Sequence, residues 1–234
     1  MLLNTIQNED AFNWIKNIED NSVDLICIDP PYEIAKKYKL EGGVEHLRLN
    51  YDFGEWDYNF KDLDKLLIDL YRVLRKGGTI ICFYDLFKIT ILKEYLEKAN
   101  FVQIRFIEWV KTNPVPINSK CNYLTNAREV ALTAVKVGNS TFNSEYDNGI
   151  YNFPINHEKM RFHTTQKPVS LIESLILKHS NVNDVVLDCF MGSATTAIAC
   201  QNTQRNFIGC EIDKHYFDLS QKRIKSNIKP KKLF

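Results

Sequence analysis

Val23-Asp24-Leu25-Ile26-Cys27-Ile28-Asp29-Pro30-Pro31-Tyr32 is the stretch on which the architecture turns. The apolar run from Val23 to Ile28 has strand length and little polar interruption, as expected of a strand covered on both faces in a parallel sheet. Two prolines end it, because each locks φ and removes an N–H donor, so the chain leaves the sheet extended. Asp29, Pro30 and Tyr32 therefore fall at the carboxyl end of a strand, the edge where open α/β sheets bind ligands.

Outward from this run, short β-branched segments alternate with longer amphipathic ones, which argues for a parallel sheet covered by helices. Strands are expected at 2–7, 23–29, 79–84, 102–111, 129–137, 185–190 and 206–211, giving one seven-stranded sheet. Helices are expected at 10–18, 62–74, 86–99, 169–180, 194–201 and 215–226, with Gly77 and Asn100 as stops. The stretches 33–59 and 138–162 have no assigned element, and loops of that length tend to carry function. A chain of 234 residues, 44% hydrophobic and 25% charged, fits one domain over 1–234 with room for a small insert and excludes a disordered or collagen-like protein.

Composition narrows the chemistry further. Apolar stretches are too short to span a bilayer and the N-terminus has no signal-like segment, so a cytoplasmic protein without a membrane partner is expected. Six cysteines occur without a CxxC pair, mostly inside apolar runs, and read as buried reduced thiols. Five scattered histidines give no ligand spacing, so no metal is expected. A net charge of +1 excludes a strongly basic body; the residues from Lys214 onward are locally basic, which fits a solvated helix face better than a phosphate-binding surface.

Two constellations carry chemistry. In the first, the Asp29 carboxylate and the Pro30 carbonyl make a rigid pair of acceptors, with Tyr32 as an aromatic plate. Such a site suits a planar heterocycle bearing an exocyclic amine, each acceptor taking one N–H and the ring stacking on Tyr32. The plain alternative is a strand terminator with a solvent-facing turn. The second is Asp188-Cys189-Phe190-Met191-Gly192-Ser193-Ala194-Thr195-Thr196, a strand leading through small residues into a helix. Gly192 permits close backbone approach, and the helix N-terminus offers unpaired N–H groups. Glu211, ending a further strand some 20 residues on, stands where nucleotide sites hold ribose hydroxyls. The loop is not GxGxxG and lacks a Walker lysine, so a ligand with a ribose but no phosphate fits better.

Together these motifs resemble the S-adenosylmethionine-dependent amino-methyltransferases of DNA. The DPPY element precedes the FMGSATT loop, which is the circularly permuted order of the β group of that family. His163-Thr164-Thr165-Gln166-Lys167-Pro168 is similar to its HxTQKP segment and Trp109-Val110-Lys111-Thr112-Asn113-Pro114 to its W-x-K-x-N-P segment. The resemblance implies a Rossmann-like sheet of seven mostly parallel strands with one antiparallel strand, and methyl transfer to the N6 amine of adenine in a specific sequence of flipped-out duplex DNA. It assigns catalysis to Asp29, Pro30 and Tyr32. It assigns cofactor binding to Asp10, Asp29, Thr165, Lys167, Asp188, Phe190, Gly192, Ser193 and Glu211. Asp10 also suits a helix N-cap.

Two departures stand out: Cys189 replaces the family's usual proline, and Ala194 its second glycine, where a Cβ narrows backbone approach. Residues 33–59, with Lys36, Lys37, Lys39 and Arg48, read as a mobile loop closing on DNA phosphates, with a plain surface loop as the alternative because the stretch also holds six acids, and 138–162 reads as a short target-recognition segment. Double-stranded DNA is the expected partner, with a second copy of the chain and a companion restriction endonuclease as further candidates. Cytosine-N4 methylation, an inactive nucleic-acid-binding module, and methylation of RNA or a protein amide remain the alternatives.

Overall fold

The computed structural model describes residues 2–32, 60–114, 124–155 and 166–227. In chain order the elements are β1 (Thr5–Asn8), α1 (Ala11–Trp14), β2 (Val23–Ile28), α2 (Leu63–Val73), β3 (Leu74–Tyr84), α3 (Ile89–Lys98), β4 (Phe101–Lys111), β5 (Arg128–Lys136), β6 (Ile150–Phe153), α4 (Val169–His179), β7 (Val185–Asp188), α5 (Thr195–Thr203), β8 (Asn206–Glu211) and α6 (Lys214–Ser226). The sheet runs β1-β8-β7-β2-β3-β5-β4-β6. Among the described residues β5 alone runs antiparallel, pairing with both β3 and β4.

Strand alternation builds a core on each face. Ile26, Ile28, Ile80 and Cys82 pack under α1, α2 and α3, while Leu25, Cys27, Ile81 and Phe83 pack under α4 and α5. The helix α2 shows why such elements form: Leu63, Leu66, Leu67, Leu70 and Val73 recur at helical spacing and are all buried. Each buried leucine contributes about 1.5–3 kcal/mol of transfer free energy, so the amphipathic stripe rather than intrinsic propensity holds the helix.

The sheet has eight strands, not the expected seven. The addition is β6, which pairs parallel to β4 from Glu108↔Ile150 to Lys111↔Phe153 inside the stretch left without an element. Four residues are too few for a legible period, and among them only Tyr151 is buried. The Trp109 indole N–H donates to the Phe153 carbonyl at 2.9 Å and the Ile155 N–H donates to Asn113 Oδ1 at 2.7 Å. The W-x-K-x-N-P residues thus fasten this edge.

Gly77 is not a helix stop. The helix α2 ends at Val73 and the chain passes directly into β3, where Gly77 takes φ +72°. A Cβ there would lie 2.1 Å from the Asn139 carbonyl oxygen, so packing against the 138 turn requires glycine. The expected helices at 10–18 and 86–99 each divide into a 3₁₀ turn and a shorter α-helix. The five described cysteines are free and buried. No helix of the described residues is long and apolar enough to cross a membrane.

Candidate active site

Parallel pairing decides where the two constellations lie. Leu25 and Ile26 of β2 pair with Val186 and Leu187 of β7, and Asp188 of β7 pairs with Gly209 of β8. Asp29, Asp188 and Glu211 therefore leave three adjacent strands at one carboxyl edge. They share an electrostatic neighbourhood. Asp188 is pushed up to about 7, chiefly by burial, with the Asp29 and Glu211 charges adding to the shift and hydrogen bonds from Thr196 and the Phe190 N–H opposing it.

The loop after β7 is held by backbone donors. The Phe190 N–H donates to Asp188 Oδ1 at 3.0 Å, the Gly192 N–H to Glu211 Oε2 at 2.7 Å, and the Asp213 N–H to Glu211 Oε1 at 2.9 Å. Burial raises Glu211 despite these bonds. Gly192 has φ +49°. Its carbonyl accepts from Ser220 Oγ, and the Arg223 guanidinium donates to the Ser193 carbonyl at 2.8 Å, so α6 clamps the turn from outside. Gly209 is required beneath it, because a Cβ would meet Met191 Cε at 2.2 Å and the Asp188 carbonyl oxygen at 2.3 Å.

Ser193 is buried, its hydroxyl 3.0 Å from Thr195 Oγ1. Ala194, at φ +62°, occupies the left-handed region with a Cβ, a conformation costing roughly 1–2 kcal/mol that glycine would not incur. Phe190 packs its ring edge-on to Phe60 at 5.4 Å, and Phe60 in turn meets Phe12. Asp10 caps α1, accepting the N–H groups of Phe12 and Asn13 at 3.0 and 3.3 Å. Thr165 lies outside the described residues.

The loop after β2 is held by side chains. Pro30 and Pro31 are buried and Asp29 is partly exposed. Tyr32 does not project outward alone: its hydroxyl donates to Asp29 Oδ1, its ring meets Tyr84 edge-on at 5.6 Å, and Lys88 Nζ donates to its carbonyl at 2.8 Å. Lys167 Nζ donates to Asp29 Oδ2 and lies 3.1 Å from Glu129 Oε2. Glu129 Oε1 pairs with Lys111 Nζ at 2.8 Å. Burial works to lower Lys167, but Asp29 and Glu129 outweigh it and hold the ammonium above its ordinary value. Burial likewise works to raise Glu129, which Lys167 and Lys111 hold below the usual carboxylate range.

Glu129 has no place in the motif reading. It opens the apolar run of β5, and because β5 is antiparallel its beginning, not its end, reaches the ligand edge, where Glu129 stands beside Trp109 and one residue from the Tyr84↔Val130 pair. An acid opening a strand carries no signal until the direction of that strand is known.

The residues present fit a cationic ligand with a sugar. Asp188 and Glu211 are buried carboxylates that form no ion pair among the described residues, beside a turn whose Gly192 lacks a side chain. Burying acids without a counter-ion is costly even when they are hydrogen-bonded, and a positively charged ligand relieves that cost.

A family model described as DNA methylase, covering the N6 and N4 enzymes, matches residues 23–222. The chain belongs to this family of DNA methyltransferases, as its DPPY and FMGSATT motifs suggest. Among curated relatives, the type II methyltransferase M2.LlaDCHI of Lactococcus lactis subsp. cremoris is 31% identical over 236 residues, covering 92% of this chain and 87% of that protein. The type II methyltransferase M.HinfI of Haemophilus influenzae is 31% identical over 258 residues, covering 97% and 70%. The crystal structure of the M1.HpyAVI–SAM complex is 33% identical with a TM-score of 0.72, covering 94% of this chain and 98% of that one. The methyltransferase fold expected from the motifs is the fold observed, with one strand more.

Proposed function

We propose that this chain transfers a methyl group from S-adenosylmethionine to the N6 amine of adenine within a specific sequence of double-stranded DNA. The observation that supports this reading is the convergence of Asp29, Asp188 and Glu211 at one edge of three adjacent strands, close enough for Asp188 to feel the charges of the other two. When bound, S-adenosylmethionine supplies an electrophilic methyl group on a sulfonium. Asp188, Phe190, Gly192 and Ser193 would line its methionine end and sugar, Glu211 would take the ribose hydroxyls, and Asp10 would lie near its adenine. Lys167 and Thr165 belong to the segment assigned beside its carboxylate.

An adenine amine is a poor nucleophile because its lone pair is delocalised into the ring. Asp29 and the Pro30 carbonyl, each accepting one N–H, favour a tetrahedral nitrogen, and the carboxylate stabilises the positive charge that develops there. Asp29 or water then removes the proton. The amine lies inside the duplex, so the base must be extruded at a cost of a few kcal/mol, part of which stacking on Tyr32 returns.

Aspartate at the first motif position favours adenine, while the acceptor pair itself would serve cytosine equally. Residues 1–234 act as one catalytic domain; 33–59, assigned to DNA contact, lie outside the described residues, as do 156–162 of the segment 138–162 assigned to site selection. A second copy of the chain completes the grip on DNA, and an endonuclease of the same site specificity is its companion. Methylating duplex DNA with the purified chain, digesting it to nucleosides and identifying the product tests the reading. N6-methyladenine is expected; N4-methylcytosine would overturn the base assignment, and no transfer would overturn the activity.

A further inference from the structure

Both oxygens of the Asp29 carboxylate are engaged by the protein itself, Oδ1 by the Tyr32 hydroxyl and Oδ2 by the Lys167 ammonium. Each oxygen keeps a second lone pair for a target amine, but that amine would meet a carboxylate whose charge and orientation are already committed. An ammonium against this carboxylate also opposes catalysis, since it offsets the negative charge that should meet a nitrogen becoming cationic. Lys167 must therefore have somewhere to go.

The geometry points to Glu129 as the residue that receives it. We propose that Glu129 is a positioning residue: when the target amine enters, Lys167 shifts from Asp29 onto Glu129, exposing Oδ2 and restoring the full charge of Asp29. The inference rests on the methyltransferase reading above. Glu129 is already within 3.1 Å of the ammonium through Oε2, while Lys111 holds Oε1 at 2.8 Å, so the receiving oxygen is fixed and only a short swing is required. The Lys167 side chain is 8% exposed and cannot retreat to solvent. The Phe83 ring, 5.0 Å from the ammonium, supplies an apolar wall that offers no acceptor of its own. The row Asp29, Lys167, Glu129, Lys111 alternates in sign, so the shift moves no net charge out of the site. Among the described residues the charged or titratable groups around it are Asp29, Tyr32, Glu129, Lys111, Cys27 and Cys82, together with Asp188 across the edge.

The test uses the full chain with Glu129→Gln and Glu129→Asp, measured by single-turnover methylation, S-adenosylmethionine affinity, and the NMR signal of the Lys167 ammonium with and without target DNA. Glutamine keeps the size but not the charge. E129Q is expected to lower the single-turnover rate at least about tenfold, with cofactor affinity within about threefold of wild type. E129D, which keeps a carboxylate one methylene shorter, is expected to recover most of the rate. The Lys167 signal should shift on DNA addition in wild type and stay unmoved in E129Q. A wild-type rate in E129Q, an equal loss of rate and cofactor affinity, or a Lys167 signal indifferent to DNA in wild type would each overturn the proposal. If E129Q does not fold, the wild-type Lys167 signal decides: a shift on addition of target DNA supports the proposal and an unmoved signal overturns it. Failure of the wild-type chain to methylate any DNA would instead remove the underlying reading.

Discussion

Two pairs of acids stand at one sheet edge and are held in opposite ways. Asp188 and Glu211 are held by neutral donors, the N–H groups of Phe190, Gly192 and Asp213, so no counter-ion offsets their charge when they ionise. Asp29 and Glu129 are held by the ammonium groups of Lys167 and Lys111, so theirs is cancelled. The difference matches the ligands proposed for each side. A sulfonium arrives charged and is attracted by bare carboxylates, whereas a nucleobase amine arrives neutral and needs a carboxylate only as the methyl transfers. Backbone amides keep one half ready for a cation; lysines keep the other quiet until its substrate enters.

The sharpest way to break this comparison is Asp29→Asn, which keeps an acceptor but removes the charge. Turnover is expected to fall by about 10²–10³ while cofactor affinity changes by no more than a few fold, as measured by label transfer and by calorimetric titration. Unchanged turnover would erase the distinction between the halves.

A smaller effect follows from Asp188, whose carboxyl is pushed up to about 7 by burial. Only its ionised form attracts a cation, so S-adenosylmethionine affinity should rise as pH increases through 7, by a factor approaching ten per unit on the acid side, and Asp188→Asn should flatten the profile. Stability of the ligand-free chain runs the other way. A folded-state value above the unfolded one favours the fold at low pH, and that contribution is lost as pH rises from about 4 through about 7. Thermal unfolding across that range checks the sign.

Smaller again, Ala194→Gly should stabilise the chain by about 0.5–1 kcal/mol, the relief of the left-handed alanine exceeding the added unfolded-state entropy of glycine. Denaturant titration measures it. Asp10 separates two roles with two variants. Asp10→Ala should cost about 1 kcal/mol of stability through the lost cap, while Asp10→Asn, which still caps, should weaken only cofactor binding, by a few fold.

Much of the site could be read from residues 23–32 and 185–211 because strand, turn and following helix are contiguous there. An apolar run, a stop and a small residue suffice to put Asp29, Asp188 and Glu211 at strand ends. The edge strand β6 was not legible, since its four residues gain their conformation from pairing with β4 and from the Trp109 bond to Phe153. Nor was the cap on Asp10 separable from a ligand role, because both use the same side chain in the same place.

The amino-acid sequence alone determined the α/β class, the permuted order of the two motifs and the carboxylates that end β2, β7 and β8, since local periodicity and chain stops are short-range properties. Only the tertiary structure decided that β5 runs backwards, that its first acid therefore reaches the rim, and that Lys167 lies between Glu129 and Asp29, 138 residues away in the chain. Ion pairs of that separation are set by strand order and direction, and no local pattern encodes them.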